Sequence, residues 1–154
     1  MSRSLISFIR SIYQTKDFIP LHEPTFDSRD KDLLIETLDS TYVSSAGPLV
    51  EKFEKINATY TGSNFCVSTV NGTSALHTGL EILGVKPEDE VITQSLTFVA
   101  TTNAIHLCGA SPIFIDVDKK TLGMSPNSLK EFLTNNCEIR EEGCWNKSTN
   151  KYTN

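Results

Sequence analysis

The sequence predicts an α/β protein: a parallel sheet with helices packed on it. Two observations carry that expectation. Strand, turn and helix patterns follow one another three times between residues 64 and 133. The connections between them are short, which in such alternating chains gives βαβ units and a parallel sheet.

The elements are justified in chain order. Leu5, Ile6, Phe8, Ile9 and Ile12 recur at helical spacing, so Met1–Tyr13 reads as an amphipathic helix. Its longest apolar run is two residues, which excludes a signal peptide core. Pro20 and Pro24 make the next stretch extended, because each disfavours helix in the residue before it. Leu33, Leu34, Thr37 and Leu38 share a face of a helix over Asp30–Leu38. A small-residue loop, Thr41 to Pro48, follows. Leu49, Val50, Phe53 and Ile56 then mark a helix ending near Thr61-Gly62.

Asn64–Val70 is a short apolar and β-branched run, expected as the first strand. Asn71 to Ser74 is a turn, and Ala75 to Leu83 a helix stopped by Gly84. Glu90–Thr93 is the second strand, Val99–Cys108 a helix, and Ser111–Val117 the third strand. Ser125-Pro126 opens a helix over Asn127–Leu133, with proline near the first helical position. From Asn135 onward Asn, Lys and Thr dominate without a period, so the stretch 137–154 is expected to be irregular. The expected organisation is an N-terminal helical segment (1–40), an α/β portion (41–136) and that tail. Three parallel strands are few for such a sheet, which suggests a chain that stops inside a larger domain.

Composition narrows the function. Fourteen basic residues against nineteen acidic give a net charge of -5, with a pI near 5.2. This is the wrong sign for a nucleic-acid partner. No apolar run approaches the length needed to span a bilayer. The four cysteines form no C-x-x-C and have no histidine at zinc-finger spacing. Cys66 and Cys108 lie in apolar runs and read as buried free thiols, which fits a cytoplasmic compartment. With no secretion signal, the glycosylation-like triplets at Asn57, Asn71 and Asn146 are discounted.

Four stretches are candidate sites. Asn71-Gly72-Thr73-Ser74 lies between a strand and a helix, where free amides and the helix dipole suit an anion, although an ordinary capped turn looks the same. It is neither a P-loop nor G-x-G-x-x-G. Phe98, after the second strand, falls on the sheet edge where open α/β folds bind ligands; it can stack on a flat ligand or pack into the core. Asp116-Val117-Asp118 is a metal candidate or a solvated strand end. The loop carrying Ser44, Ser45 and Gly47 offers hydroxyls and amides to a polar ligand or is a generic loop. His22, His77 and His106 are scattered, with no nucleophile to pair, and read as structural.

Taken together and in order, these segments resemble a known family. The matching stretches are Phe18 to Pro24, Tyr42 to Gly47 followed by Phe53-Glu54, Val70 to His77, Pro87 to Ile92, Leu96 to Ile105 and Phe114 to Asp118. They are similar to the sugar aminotransferases of the DegT/DnrJ/EryC1/StrS family, fold-type I enzymes that use pyridoxal 5′-phosphate (PLP). The resemblance covers about three quarters of the chain. Phe18 to Pro24 looks most like the subgroup linked to legionaminic-acid and related surface sugars.

The resemblance implies roles. Gly72 and Thr73, with Ser74, would bind the PLP phosphate, and Phe98 would stack on the pyridine ring. Ser44, Ser45 and Gly47 would lie near a nucleotide-linked 4-keto-6-deoxy sugar. Glutamate would be the amino donor, and the family is homodimeric. Residues 41–136 would be the N-terminal part of the transferase major domain. The family's Schiff-base lysine and pyridine-binding aspartate lie downstream of the matched stretches, and none of the ten lysines here occupies the matching position. The implied reading is the N-terminal portion of a PLP-dependent sugar aminotransferase, inactive by itself. The alternatives are a sugar dehydratase relative with histidine in place of the lysine, a non-catalytic partner of an aminotransferase subunit, or a generic phosphate-binding domain.

Overall fold

A computed structural model describes residues 2–154. The chain divides into two compact units, one up to Phe53 and one from Glu54 to Asn154.

The first unit contains α1 (Ser2–Tyr13), α2 (Ser28–Asp39) and the start of α3 (Pro48–Thr61). All three helices fall where their apolar spacing placed them. Helix α2 begins earlier than expected because Asp27 caps it: its Oδ1 accepts from the Arg29 and Asp30 amides at 2.8 and 3.1 Å. Asp30 Oδ2 returns the bond to the Asp27 amide at 2.9 Å, closing a capping box. No residue of α2 or α3 is buried.

The second unit is the α/β portion. It holds α4 (Gly72–Ile82), β1 (Glu90–Gln94), α5 (Val99–Leu107), β2 (Ser111–Ile115), α6 (Pro126–Asn136), β3 (Cys137–Arg140), β4 (Gly143–Asn146) and β5 (Lys151–Thr153). The strand order is β2-β1-β5-β4-β3. Strands β1 and β2 are parallel, with Glu90 opposite Ser111 and Gln94 opposite Ile115, and α5 makes the crossover that a parallel pair requires. Pro112 is tolerated because β2 is the edge strand, so its missing N–H faces no further ladder. The core is Val91, Ile105, Cys108 and Ala110, with Leu80 and Val85 packed against it. It is a small core, formed where α4 and α5 cover β1.

Two expectations are corrected. Asn64–Val70 is not a strand. It has no ladder partner among the described residues, and Phe65, Val67 and Val70 are exposed. Its composition suits a strand, but pairing needs a second backbone. What holds it is Glu54, whose Oε1 accepts from the Ser68 amide at 2.8 Å and its hydroxyl at 2.9 Å. Those two bonds hold the Glu54 carboxyl below its ordinary range, the amide contributing most.

The stretch 137–154 is not irregular either. It forms three strands that bring the sheet to five. β3, β4 and β5 run antiparallel, and β5 inserts beside β1 in parallel. Ile92 N donates to Asn154 O, and Asn154 N to Glu90 O, both at 2.8 Å. The anchor is a buried polar network. Glu90, 2% exposed, accepts at Oε2 from Asn146 Nδ2 at 2.9 Å and Thr153 Oγ1 at 3.2 Å. Asn146, 1% exposed, accepts at Oδ1 from the Ser148 amide and hydroxyl. Trp145 and Tyr152 face each other across β4 and β5, ring centres 4.9 Å apart and edge-to-face, with the Arg140 guanidinium 4.2 Å over the indole.

All four cysteines are free. Cys108 is buried as expected, whereas Cys66 is half-buried because it lies on the unpaired segment.

Candidate functional site

The Asn71–Ser74 turn begins α4, as the sequence indicated. Asn71 is its N-cap, extended at φ -165° and ψ 172°, and Asn71 Oδ1 accepts from the Ser74 amide at 2.9 Å. The Ala75 amide donates to Asn71 O. The Gly72 and Thr73 amides are the ones left without an acceptor among the described residues, as the first turn of a helix dictates. They point into the field of the helix N-terminus, where an anion is stabilised. At Gly72 a side chain would meet nothing within 4 Å, so the approach is open. Ser74 retains only its hydroxyl for a ligand. The role of Asn71 in setting this division was legible only as a residue type that favours N-caps.

Phe98 is the N-cap of α5, with φ -70° and ψ 142° and no side-chain capping bond. The residue is 79% exposed, so it is not core. Thr97 and Thr101 share a 2.8 Å hydroxyl bond across the start of that helix, and Thr101 N donates to Phe98 O. Helices α4 and α5 pack on each other. Gly72 to Ser74 and Phe98 therefore stand at the N-terminal ends of two packed helices, with no hydrogen bond between them.

In the other unit, Ser44 and Gly47 line a cleft of about 490 Å³ together with Leu34, Leu38, Tyr42 and Val43. Ser45 does not line it. Gly47, at φ +153°, is held against Tyr42; a Cβ there would sit 3.1 Å from Tyr42 Cβ. Ser44 Oγ is only 3.4 Å from both Ala46 N and Ala46 O, a loose local turn.

Asp118 is a turn residue. Its Oδ1 accepts from the Lys120 and Thr121 amides, both at 2.9 Å, and from the Thr121 hydroxyl at 3.3 Å. The Thr121 amide bond, then that of Lys120, holds its carboxyl below the ordinary range. With one oxygen carrying three internal donors, it closes the loop after β2. Asn146 is buried and bonded, which supports discounting its triplet as a glycan site.

Nine of the ten lysines are exposed, and Lys151 pairs with Glu88 at 3.2 Å.

Residues 24–139 match the DegT/DnrJ/EryC1/StrS aminotransferase family, and the chain belongs to it. It is 40% identical over 118 residues to a GDP-perosamine synthase of Escherichia coli O157:H7, covering 77% of this chain and 32% of that protein. It is 37% identical over 116 residues to a GDP-perosamine synthase of Caulobacter vibrioides, covering 75% and 31%. Among solved structures it matches an aminotransferase from Psychrobacter cryohalolentis at TM-score 0.67 and 32% identity, over 75% of this chain and 29% of that one. It matches NtdA of Bacillus subtilis, solved with the bound cofactor PMP, at TM-score 0.63 and 30% identity, over 76% and 29%. The chain spans about a third of the length of the curated relatives it matches.

Proposed function

We propose that this chain supplies the N-terminal, phosphate-binding portion of a PLP-dependent aminotransferase acting on a nucleotide-linked 4-keto-6-deoxy sugar in surface polysaccharide synthesis. The observation that carries it is the pair of free amides at Gly72 and Thr73, at the head of a helix packed against the one that Phe98 caps. In this reading the Gly72 and Thr73 amides hold the cofactor phosphate and the Ser74 hydroxyl donates to a third oxygen. Asn71 fixes the first turn, and Glu54 fixes the segment before it. The exposed Phe98 ring covers one face of the pyridine and keeps water off it. Ser44, Ser45 and Gly47 contact the sugar nucleotide.

PLP supplies the electron sink that lets an amino group pass from donor to acceptor. Glutamate is the proposed donor. A relative 34% identical is named UDP-4-amino-4-deoxy-L-arabinose–oxoglutarate aminotransferase, and oxoglutarate is what glutamate becomes on giving up its amine. The GDP-perosamine synthases point to a nucleotide-linked amino sugar as product. The proposed setting is the cytoplasm; no described helix is long and apolar enough to cross a membrane. The proposed assembly is a homodimer. The exposed apolar side chains of Phe65, Val67, Val70 and Phe98 support further protein packing around this unit.

The 154 residues alone do not transaminate in this account. Covalent catalysis needs a lysine amine sheltered from water, and every lysine here is exposed or ion-paired. The test is an absorbance titration of the chain with PLP followed by borohydride and peptide mapping. Reversible, phosphate-dependent binding with no lysine modified selectively supports the reading. A single lysine modified stoichiometrically refutes the inactivity, and no phosphate preference refutes the phosphate site.

A further inference from the structure

The second unit carries a cluster of side chains that the proposed cofactor site does not use. His77 and Glu81 are four residues apart and so share one face of α4. Cys108 caps the C-terminal end of α5. One donor atom from each lies within 4.8 Å of the other two. Three features distinguish this from chance proximity. The His77 Nε2 atom is buried and has no hydrogen-bond partner among the described residues. Glu81 Oε1 is 3.4 Å from it, longer than a charge-assisted bond of about 2.7–2.9 Å. That separation is close to the edge of about 3.3 Å that nitrogen and oxygen span when both bind one tetrahedral ion at about 2.0 Å. Cys108 is buried, and the one side-chain bond its thiol makes among the described residues is a weak one from Sγ to Ala104 O at 3.4 Å.

We propose that His77, Glu81 and Cys108 bind a single divalent cation of the zinc class. An imidazole nitrogen, a carboxylate oxygen and a thiolate are the mixed donor set that zinc accepts and that magnesium or calcium, which prefer oxygen, do not. The ion replaces the Cys108 thiol proton, which passes to solvent. It satisfies the orphaned His77 Nε2 and ties α4 to the end of α5. Glu81 is exposed, so the ion enters from its side and keeps a fourth position for water. Metal binding here is independent of the cofactor reading: the ligands lie in the second turn of α4 and beyond, outside Gly72 to Ser74.

The experiment is a titration of the whole chain with Co²⁺, which reports thiolate coordination as a near-ultraviolet charge-transfer band and four-coordination as intense visible bands. One equivalent is expected to bind, and Zn²⁺ to displace it. Cys108→Ser removes the charge-transfer band. His77→Gln and Glu81→Gln each weaken binding by at least about tenfold; Glu81 is exposed, so that variant tests the site even if the others disturb packing. The double variant Cys137→Ser/Cys144→Ser leaves the spectrum unchanged. Absence of the band in the wild-type chain overturns the proposal. So does a band that survives Cys108→Ser or vanishes with the Cys137/Cys144 pair.

Discussion

The Asn146→Ala substitution tests whether the last eighteen residues are part of the sheet. It removes three hydrogen bonds: the donor to Glu90 Oε2 and the acceptor of the Ser148 amide and hydroxyl. Glu90 stays buried with Thr153 Oγ1 as the remaining donor to that oxygen. Depriving a buried acceptor of a partner costs about 1–3 kcal/mol, and each Ser148 bond, partly exposed, about 0.5 kcal/mol. The sum is about 2–4 kcal/mol, against a marginal stability of about 5–15 kcal/mol for an ordinary domain. Trp145, the single tryptophan, neighbours the altered residue in β4 and reports the transition by fluorescence. In urea, with a slope of about 2 kcal/mol per molar, the midpoint falls by about 1–2 M. A change below about 0.5 kcal/mol is what an exposed loop position gives. That result would refute the claim that Asn146 anchors β4 to β1.

Other outcomes follow from the same geometry. Ser68→Ala removes the hydroxyl donor to Glu54 but leaves the stronger amide bond, so the Glu54 carboxyl rises only part of the way toward its ordinary range; carbon-detected NMR titration of the side chain checks this. Asp118 titrates below its unfolded value, so its contribution to stability is complete above that unfolded value and is lost as pH falls through the folded one; in Asp118→Asn that part of the acid dependence disappears from pH-resolved urea curves. Burial, then the neighbouring Cys144 thiol, pushes Cys137 up to about 11; iodoacetamide at pH 8, followed by mass spectrometry, therefore modifies it far more slowly than an unstructured peptide thiol. Gly109→Ala destabilises more than Gly62→Ala: both sit at positive φ, +74° and +72°, but only at Gly109 does the new Cβ meet backbone, Pro87 Cα at 3.2 Å. The left-handed conformation alone costs about 1–2 kcal/mol in each, and thermal melts resolve the excess at 109.

The helices and the β1-α5-β2 unit were legible in the sequence because their signals are local. Leu5 to Ile12 and Leu49 to Ile56 keep helical spacing even though their side chains remain largely exposed. Ser125-Pro126 and Asn71 mark helix starts by capping chemistry, which needs no tertiary partner. Pairing is not local. Asn64–Val70 has the composition of a strand and lacks only another backbone. Residues 137–154 have strands of three or four residues and an exposed Ile139, so the apolar alternation that usually marks a strand is nearly absent. The signals present were Gly143 between two short runs and the aromatic pair Trp145 and Tyr152. Within the candidate site, the helix start at Gly72 and Thr73 was legible from Asn71 as a capping residue type, and the place of Phe98 from the turn between β1 and α5. The division of amides by Asn71, the Ser45 position outside the cleft and the meeting of Cys108 with His77 depend on side-chain geometry that no spacing rule carries.

The proposed phosphate site is tested most directly by Gly72→Pro. Gly72 is the first residue of α4, where proline is well tolerated, and Asn71 before it is already extended. The substitution deletes one of the two free amides and little else. The measurement is the affinity of the chain for PLP and for pyridoxal, with and without the substitution, and circular dichroism to confirm that helix content is kept. The account predicts that the wild-type chain prefers PLP to pyridoxal by at least about tenfold, the equivalent of about 1.4 kcal/mol, and that Gly72→Pro removes most of that preference. Equal affinity for the two compounds, or a preference unchanged by the substitution, would contradict it.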